Sequence, residues 1–310
     1  MRVAVVGVGA VGGYFAGRLA EAGNDVTFVA RGRTLTALQE RGLVVESING
    51  DFTIHPARAL EDPAAAGEVD VVLFGVKAWQ VEEAARSALP LFGSRTCALP
   101  LQNGVEAPEV LARVVGRERV LGGLCKIFAQ LAEPGRVLHL GVEPSIDFGE
   151  LDDRPSERVQ AIQRAFDNAG VRARTPPSIQ AAMWEKFLMI VATSAVSAVT
   201  RTTLGEVRDL DSSRRLMEES MREIWSLARA RGVQIREDAV ERTLAFVEGL
   251  PHEATPSMQR DILAGRPSEI DAQVGAVVRL ASQSDVEVPV NSFLYAALLP
   301  AELSARQRRD

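Results

Sequence analysis

Residues 3–12 read Val3-Ala-Val-Val-Gly7-Val-Gly9-Ala-Val-Gly12, an apolar run that leads into a glycine-rich loop. The run is typical of a buried strand, and the residues that follow, 11–22, have the pattern of a helix. A Gly-x-Gly-x-x-Gly loop in this position favours a dinucleotide, because the glycines let a pyrophosphate approach the free N–H groups of the helix N-terminus. An ordinary glycine-rich turn is the alternative. We predict a dinucleotide site formed by Gly7, Val8, Gly9, Ala10, Val11 and Gly12.

Strand-like and helical segments alternate through the first half of the chain. The strand-like segments are mostly apolar, which indicates a parallel sheet covered by helices on both faces. Asn49-Gly50 predicts a hairpin of residues 43–46 and 52–55. The other predicted strands are 3–6, 26–30, 69–75, 96–101, 120–131, 137–140, 145–148 and 171–174, and the other predicted helices are 80–89 and 157–169.

The second half of the chain has a helical pattern throughout. Apolar residues recur at helical spacing in six segments, and no strand pattern of comparable strength accompanies them. Pro176-Pro177 marks the change, so we predict one domain of residues 1–176 and a second of residues 177–310. The predicted fold class is α/β, with an N-terminal Rossmann-type dinucleotide-binding domain and an all-α C-terminal domain. The predicted helices are 179–199, 212–231, 238–250, 257–263, 270–284 and 292–303.

Composition argues against several classes of partner and site. The net charge of −6 disfavours nucleic acid and an acidic membrane as partners. Cys97 and Cys125 are the only cysteines and the three histidines lie far apart, so we expect neither a disulfide framework nor a metal site. The N-terminal apolar run is too short for a signal peptide, and the longest uncharged apolar stretch, 187–200, is too short to span a bilayer. We expect a cytoplasmic protein.

The end of the second predicted strand distinguishes two cofactors. NAD sites carry Asp or Glu here, which accepts a hydrogen bond from the ribose 2′-hydroxyl. This chain has Arg31-Gly-Arg33 and no acid. A guanidinium can pair with a 2′-phosphate through two N–H donors, whereas a carboxylate would repel it. We therefore predict NADPH, held by Arg31 with Arg33 as a second candidate; the alternative is that both are solvated loop charges.

Two polar segments follow predicted strands of the sheet. Val76-Lys77-Ala-Trp-Gln80 follows one strand, and Gln102-Asn103-Gly104 follows the next. Open α/β sheets bind ligands at the carboxyl ends of their strands, so both segments are candidates for the site. Three further motifs lie in the helical half: Trp184-Glu-Lys186, Ser257-Met-Gln-Arg-Asp261 and Gly265-Arg-Pro-Ser-Glu269-Ile-Asp271.

With these motifs the chain resembles the ketopantoate reductase (2-dehydropantoate 2-reductase) family over nearly its whole length, as far as Asn291. The resemblance implies an NADPH-binding Rossmann domain followed by a helical domain. It also implies a role for each matched polar residue. The implied roles are general acid for Lys186, positioning of that lysine for Glu269, substrate binding for Asn103 and Ser257, a place beside substrate and nicotinamide for Lys77, and cofactor contacts for Asn103 and Glu269.

Elementary chemistry agrees with the implied role of Lys186. Hydride delivered to a 2-oxo acid builds negative charge on the carbonyl oxygen, and an ammonium group can stabilise that charge and donate the proton. A carboxylate at Glu269 would keep the ammonium charged and aimed, and donors at Asn103 and Ser257 suit the substrate carboxylate. The alternatives are a solvated charge at Lys186 and an ordinary first-turn acid of a helix at Glu269.

The chain departs from the family on the helix face that follows Lys186. Family members carry asparagines one and two turns after the lysine and a third in the next segment; here these positions are Ile190, Ser194 and Leu204. A substrate hydroxyl left unpaired at Ile190 would cost about 1–3 kcal/mol. The departure favours a 2-oxo acid with a more apolar side chain, unless Ser194, Thr193 or water makes the contact. Ser194 is therefore a candidate substrate-binding residue.

Three functional hypotheses result. The leading one is NADPH-dependent reduction of ketopantoate to pantoate, for pantothenate biosynthesis. The second is reduction of another branched, more apolar 2-oxo acid, and the third is a non-catalytic NADPH-binding regulator on the same scaffold. A homodimer is also a candidate arrangement, because one predicted helix presents an apolar face. That face consists of Val274, Val277, Val278 and Leu280.

Overall fold

The computed structural model describes residues 1–308, which form two compact units. The first unit comprises Met1–Gln102 and Glu106–Ile179, and the second comprises Asn103–Val105 and the chain from Gln180 onward. The main division lies at Ile179, close to the prolines where the sequence pattern changes. The contacts of Asn103–Val105 assign this short segment to the second unit, although a strand of the first unit precedes it.

Twelve strands lie within residues 1–179, and they form three sheets. The strands are β1 (Arg2–Val6), β2 (Asp25–Val29), β3 (Leu43–Ser47), β4 (Phe52–Ile54), β5 (Ala59–Leu60), β6 (Val71–Phe74), β7 (Cys97–Pro100), β8 (Leu121–Lys126), β9 (Ala129–Glu133), β10 (Arg136–His139), β11 (Ser145–Glu150) and β12 (Arg172–Arg174).

The largest sheet is parallel and has the strand order β5-β2-β1-β6-β7. Strands β6 and β7 are buried along their whole length, and β1 is buried except at Arg2. The predicted Rossmann-type sheet of apolar parallel strands is thereby confirmed. The chain runs from β1 to β2 on one side and later to β6 and β7 on the other, so the strand order reverses between β1 and β6. Open α/β sheets bind their ligands at such a reversal.

Two smaller sheets complete the first unit, with the orders β4-β3-β10-β9 and β12-β11-β8. Strands β3 and β4 form the predicted antiparallel hairpin. The prediction of one continuous strand over 120–131 is wrong, because β8 pairs with β11 and β9 pairs with β10 in a different sheet. The apolar pattern runs through Ile127 and Phe128 between them, so hydrophobicity alone does not reveal the break.

Five helices accompany these strands: α1 (Ala10–Glu21), α2 (Gly32–Arg41), α3 (Val81–Ser87), α4 (Ala107–Val115) and α5 (Glu157–Asn168). The sequence-based prediction lacks α2 and α4. Helix α2 buries only Ala37 and Leu38, so its apolar stripe is too narrow to stand out. Helix α4 buries Pro108, Leu111 and Val115, whose spacing is helical, and a proline fits its first turn.

The predicted all-α second half is confirmed. Its helices are α6 (Ile179–Thr200), α7 (Leu204–Asp209), α8 (Asp211–Ala230), α9 (Ala239–Glu248), α10 (Ser257–Leu263), α11 (Val274–Gln283) and α12 (Pro289–Gln307). The short α7 is absent from the prediction, although Thr203 and Glu206 form a capping box at its start. Helix α11 begins later than predicted, because residues 269–273 form turns.

Helix α6 is a core helix of the second unit. It is the one helix among the described residues that is long and apolar enough to cross a membrane, but 67% of its apolar window is buried inside the protein. Phe187, Leu188 and Val191 are at most 1% exposed. The apolar stretch is thus accounted for by packing against the neighbouring helices.

The apolar residues of α11 do not form the face that the sequence suggests for a dimer. Val274 and Val277 are fully buried, and Leu280 is 6% exposed. All three belong to the hydrophobic core of the second unit, and Val278 is half-buried. These residues are therefore already covered by the chain itself, and a homodimer would have to use another surface.

Candidate active site

The loop between β1 and α1 is closed by glycines on neighbouring strand ends. Gly7 has a φ of +96°, and a Cβ there would lie 2.5 Å from Val76 N. A Cβ on Gly12 would overlap Gly7 O, and one on Gly75, which follows β6, would lie 2.6 Å from the same oxygen. The protein's own backbone packing therefore requires glycine at all three positions.

Gly9 differs from the other glycines of the loop because the protein leaves room beside it. Its φ is −86°, which any residue can adopt, and a Cβ at this position would have Gly75 O as its nearest neighbour, at 4.0 Å. Neither packing nor backbone conformation accounts for a glycine at this position. A pyrophosphate that approaches the backbone at the reversal of strand order does account for it. The loop thus fits a bound dinucleotide.

Helix α1 presents unpaired N–H groups beside Gly9. The first intrahelical bond runs from Gly13 N to Gly9 O at 2.8 Å, so the N–H groups of Ala10, Val11 and Gly12 precede the start of the helical bonding pattern. The first turn of α1 carries no acidic side chain that would oppose the positive end of the helix dipole. This helix end has the electrostatics that an anionic pyrophosphate needs.

Arg31 lies at the N-cap of α2, just after β2. Its Nη1 lies 3.3 Å from Glu83 Oε1, and the two side chains are 62% and 76% exposed. An ion pair between such exposed groups contributes about 0–1 kcal/mol, so Arg31 can leave Glu83 for a stronger anion. Arg33, in the first turn of α2, is also exposed. Both arginines are available to a phosphate at the end of β2.

Gln102 joins the carboxyl ends of two strands in the first unit. It is 6% exposed, and its Nε2 donates to Phe74 O at 2.8 Å and to Val76 O at 2.9 Å. These bonds hold the segment that leads to Lys77, which is exposed, with its Nζ 6.0 Å from the ring centre of Trp79. The sequence analysis includes Gln102 in a candidate segment but assigns it no role of its own, although a polar residue directly after a buried strand can indicate a functional residue.

Lys186, Asn103 and Glu269 meet in the second unit. Lys186 Nζ donates to Asn103 Oδ1 at 2.8 Å, and Asn103 Nδ2 donates to Glu269 Oε2 at 3.5 Å. The three side chains come from α6, from the segment Asn103–Val105 and from the turns before α11, and all are half-buried. Asn103 lies 83 positions from Lys186 and 166 positions from Glu269 in the sequence, yet the three side chains form one hydrogen-bonded row.

Hydrogen-bonding chemistry sets the order within this row. An ammonium only donates and a carboxylate only accepts, so the Asn103 amide must turn its oxygen to Lys186 and its nitrogen to Glu269. Lys186 lies on an apolar helix between Trp184 and Phe187, which are 6% and 1% exposed. Because a charge removed from water needs polar partners, the Asn103 oxygen supplies one for the ammonium there. The arrangement holds the amino group of Lys186 in a fixed direction.

The other predicted substrate residues differ in their surroundings. Ser257 is the exposed first residue of α10. In the same motif, burial lowers the pKa of Arg260, against the opposing effect of the neighbouring Asp261. The substrate-binding role of Ser257 stays a prediction.

The three positions that depart from the family pattern are not equally accessible. Ser194, two turns after Lys186, is 3% exposed, and Leu204 is 4% exposed at the start of α7. Ile190, one turn after Lys186, packs against the core of the second unit but is only half-buried. Of the three, Ile190 is therefore the position best placed to touch a ligand near Lys186.

Two family models match the chain. Residues 3–153 match the model described as "Ketopantoate reductase PanE/ApbA", and residues 178–302 match "Ketopantoate reductase PanE/ApbA C terminal". The second match begins close to the division between the units, and the two matches together cover most of the chain.

Individual proteins match over almost the whole length. The "Uncharacterized oxidoreductase YkpB" of Bacillus subtilis is 30% identical over 298 residues, which cover 96% of this chain and 98% of that protein. The crystal structure of 2-dehydropantoate 2-reductase from Geobacter metallireducens GS-15 superposes with a TM-score of 0.89 at 33% identity, covering 97% of this chain and 100% of that one. The fold is also that of D-mandelate dehydrogenase in its ternary structure with NADH and anilino(oxo)acetate, with a TM-score of 0.89 at 21% identity and coverage of 99% and 100%.

Because the protein leaves room beside Gly9 but not beside Gly12, we predict that Gly9→Ala mainly weakens cofactor binding, whereas Gly12→Ala mainly lowers stability. Gly9→Ala should lower the free energy of unfolding by at most about 1 kcal/mol, the difference between glycine and alanine at an N-cap. It should nevertheless raise the Kd for NADPH at least about tenfold, because the added methyl group lies where the pyrophosphate would contact the backbone. Calorimetric titration with NADPH and thermal unfolding measure both quantities.

Gly12→Ala is the matched control. Its methyl group would overlap Gly7 O, so it should cost about 1–3 kcal/mol of stability or more. A Gly9→Ala protein that binds NADPH as tightly as the wild type would show that the loop does not hold the pyrophosphate.

Proposed function

The chain belongs to the ketopantoate reductase family, a family of nicotinamide-dependent oxidoreductases that act on CH–OH groups, and from this premise we propose that it reduces 2-dehydropantoate to pantoate with NADPH. The hydrogen-bonded row of Lys186, Asn103 and Glu269 carries the proposal. A protein that only sensed NADPH would not need an oriented ammonium in its helical unit. The row therefore favours an enzyme over the regulator.

Lys186 is the proton donor in this proposal. Bound NADPH would supply a hydride to C2 of the 2-oxo acid. The C=O double bond then becomes a C–O single bond, and Lys186 Nζ transfers one proton to the oxygen, which gives the 2-hydroxy acid. The positive charge near Nζ also stabilises the negative charge that develops on that oxygen. Lys186 regains its proton from solvent.

Asn103 and Glu269 keep Lys186 ready for this step. The Asn103 oxygen, 2.8 Å from Nζ, restricts the direction of the ammonium, and the Glu269 carboxylate orients the amide from its other end. Holding the proton donor in a productive direction lowers the activation free energy, because a misplacement of about 1 Å can reduce the rate about a hundredfold. The second N–H of Asn103 suits a substrate oxygen.

NADPH is the proposed cofactor because of Arg31. Its guanidinium lies at the N-cap of α2, where an exposed ion pair with Glu83 and a 3.5 Å hydrogen bond to Ser87 Oγ hold it, and no acid occupies the end of β2. A 2′-phosphate offers Arg31 two charge-assisted hydrogen bonds. A ribose 2′-hydroxyl would lack the carboxylate partner that NAD sites provide.

A second substrate is favoured by Ile190. Ketopantoate carries a hydroxymethyl group, and an isoleucine side chain offers that hydroxyl neither a donor nor an acceptor. A branched 2-oxo acid without the hydroxyl, such as 2-oxoisovalerate, would lose nothing at this position. Reduction of such an acid is therefore the runner-up, with the same row of residues and the same cofactor.

The remaining expectations follow the proposed chemistry. The substrate and cofactor are small soluble molecules, so we place the enzyme in the cytoplasm, in pantothenate biosynthesis if ketopantoate is the substrate. The two substrates belong to one reaction class, and a single assay separates them from each other and from the regulator.

Steady-state oxidation of NADPH over a panel of 2-oxo acids is that assay. We expect turnover with ketopantoate, and Lys186→Ala should remove it with every acid of the panel. Ile190→Asn should raise kcat/KM for ketopantoate relative to 2-oxoisovalerate by about ten- to a hundredfold, because it restores a partner for the hydroxyl. A wild-type preference for 2-oxoisovalerate would select the runner-up, and absence of turnover with all acids would select the regulator.

Arg31→Asp tests the proposed cofactor. The change should raise the Kd for NADPH at least about tenfold and leave the Kd for NADH within about threefold, because only NADPH carries the 2′-phosphate. Arg41→Asp changes the net charge equally at the far end of α2 and should affect neither. Equal weakening of both cofactors by Arg31→Asp would contradict a 2′-phosphate site.

A further inference from the structure

Glu269 lies on a stretch of turns rather than on a helix or strand. The residues between α10 and α11 have no regular backbone bonding to hold them, apart from turn bonds such as Gln273 N to Glu269 O at 3.0 Å. The bond from Asn103 to Glu269 is 3.5 Å long, so a small shift of this stretch would break it. Something outside the stretch has to fix the position of the Glu269 carboxylate.

Helix α12 provides that fixation through Glu302. This glutamate is 3% exposed, and its Oε2 accepts hydrogen bonds from Ser268 N at 2.8 Å and from Ser268 Oγ at 2.6 Å. Ser268 is fully buried and directly precedes Glu269. Its hydroxyl oxygen in turn accepts from Ile270 N at 3.3 Å. The buried carboxylate thus holds the backbone on both sides of Glu269.

Arg306, one turn further along α12, completes this contact. Its Nε lies 2.7 Å from Glu302 Oε1, and its Nη2 donates to Ser268 O at 3.4 Å. A buried carboxylate is costly unless it is paired and hydrogen-bonded; here Oε2 accepts the hydrogen bonds from Ser268 and Oε1 is ion-paired with Arg306. Glu302 and Arg306 therefore contact the N–H, the hydroxyl and the carbonyl of the one residue that precedes Glu269.

A second contact from α12 holds the other end of the stretch. Tyr295 Oη donates to Asp271 Oδ1 at 2.9 Å, and Arg279 Nη1 of α11 donates to the same oxygen at 2.9 Å. Burial, followed by the hydrogen bond with Asp271, raises the pKa of Tyr295, so its hydroxyl remains a donor at neutral pH. The serine and aspartate of the Ser268-Glu-Ile-Asp271 motif thus contact α12 and α11.

We propose that Glu302 is a positioning residue of the reductase, which holds Ser268 and thereby sets the Glu269 carboxylate against Asn103. The inference rests on the proposed function, since it assigns Glu302 to the row that holds Lys186. Glu302 acts through Ser268 and Glu269 and touches neither substrate nor cofactor. The C-terminal helix is then part of the catalytic apparatus, although it carries no catalytic residue.

Glu302→Gln tests the proposal in the full-length protein. The amide cannot pair with Arg306 as a carboxylate does, so Glu269 should move and kcat should fall about ten- to a hundredfold, with the KM for NADPH unchanged. In a Glu269→Gln background the same substitution should cause no further fall in kcat, because its only route to the reaction is already lost. Additive losses in the double variant would overturn the proposal.

Glu223→Gln is the matched control: Glu223 lies on α8 and binds the same helix, α12, at its other end. Glu223 accepts hydrogen bonds from Val290 N at 2.7 Å and from Asn291 N at 2.9 Å, and so holds the first turn of α12. If Glu302 acted only by stabilising α12, the two variants would lower Tm and kcat in parallel. We expect both to lower Tm and only Glu302→Gln to lower kcat at 25 °C.

A crystal structure of the Glu302→Gln protein gives a readout that does not depend on turnover. The distance from Asn103 Nδ2 to Glu269 Oε2 should exceed hydrogen-bonding range, while Lys186 Nζ stays beside Asn103 Oδ1. If the protein does not fold, Ser268→Ala serves instead, with Ser268→Thr as the variant that restores the hydroxyl and the distance. An unchanged distance overturns the positioning role, whereas a changed distance in a protein with no reductase activity overturns only the proposed function.

Discussion

The hydrogen bond from Lys186 Nζ to Asn103 Oδ1 is the interaction on which the proposed chemistry of this protein depends. It places a cationic group on the most apolar helix of the chain, where a lone charge would be unfavourable. It also explains why Asn103–Val105 makes its contacts in the second unit, directly after a strand of the first. The amide that accepts this bond is held from its other end by Glu269, and Glu269 in turn depends on the contacts of α12.

A steric constraint plays the equivalent part in the first unit. The strand order reverses between β1 and β6, and Gly7, Gly12 and Gly75 pack there without space for any side chain. Gly9 is the exception, because a Cβ added there would lie 4.0 Å from its nearest neighbour, Gly75 O. Gly7, Gly12 and Gly75 are therefore required by the packing of the fold. Gly9 is not required by packing, and a bound ligand accounts for it.

The sequence was most informative where one chemical need dominates a short stretch. The glycine loop, the apolar parallel strands and the polar residues after them could be assigned because each pattern is local. The break between β8 and β9 could not, since apolar residues continue across it and only pairing with different sheets divides them. Glu302 could not be assigned either: a glutamate on a surface helix is ordinarily solvated, and its partner Ser268 lies 34 residues away.

The central claim, that the amine of Lys186 performs the proton transfer, is tested most directly by removing and rebuilding that amine. Cys97 and Cys125 are buried, and burial raises the pKa of Cys97 to about 12, so a cysteine introduced by Lys186→Cys is the thiol that should react with 2-bromoethylamine under native conditions. The measurement is kcat for the 2-oxo acid reduction before and after alkylation, with labelling verified by mass. We predict a nearly inactive Lys186→Cys protein that recovers much of the wild-type kcat when the aminoethyl group is attached. Unmodified Lys186→Cys with wild-type kcat, or a fully aminoethylated protein that is no faster than the unmodified one, would contradict the claim.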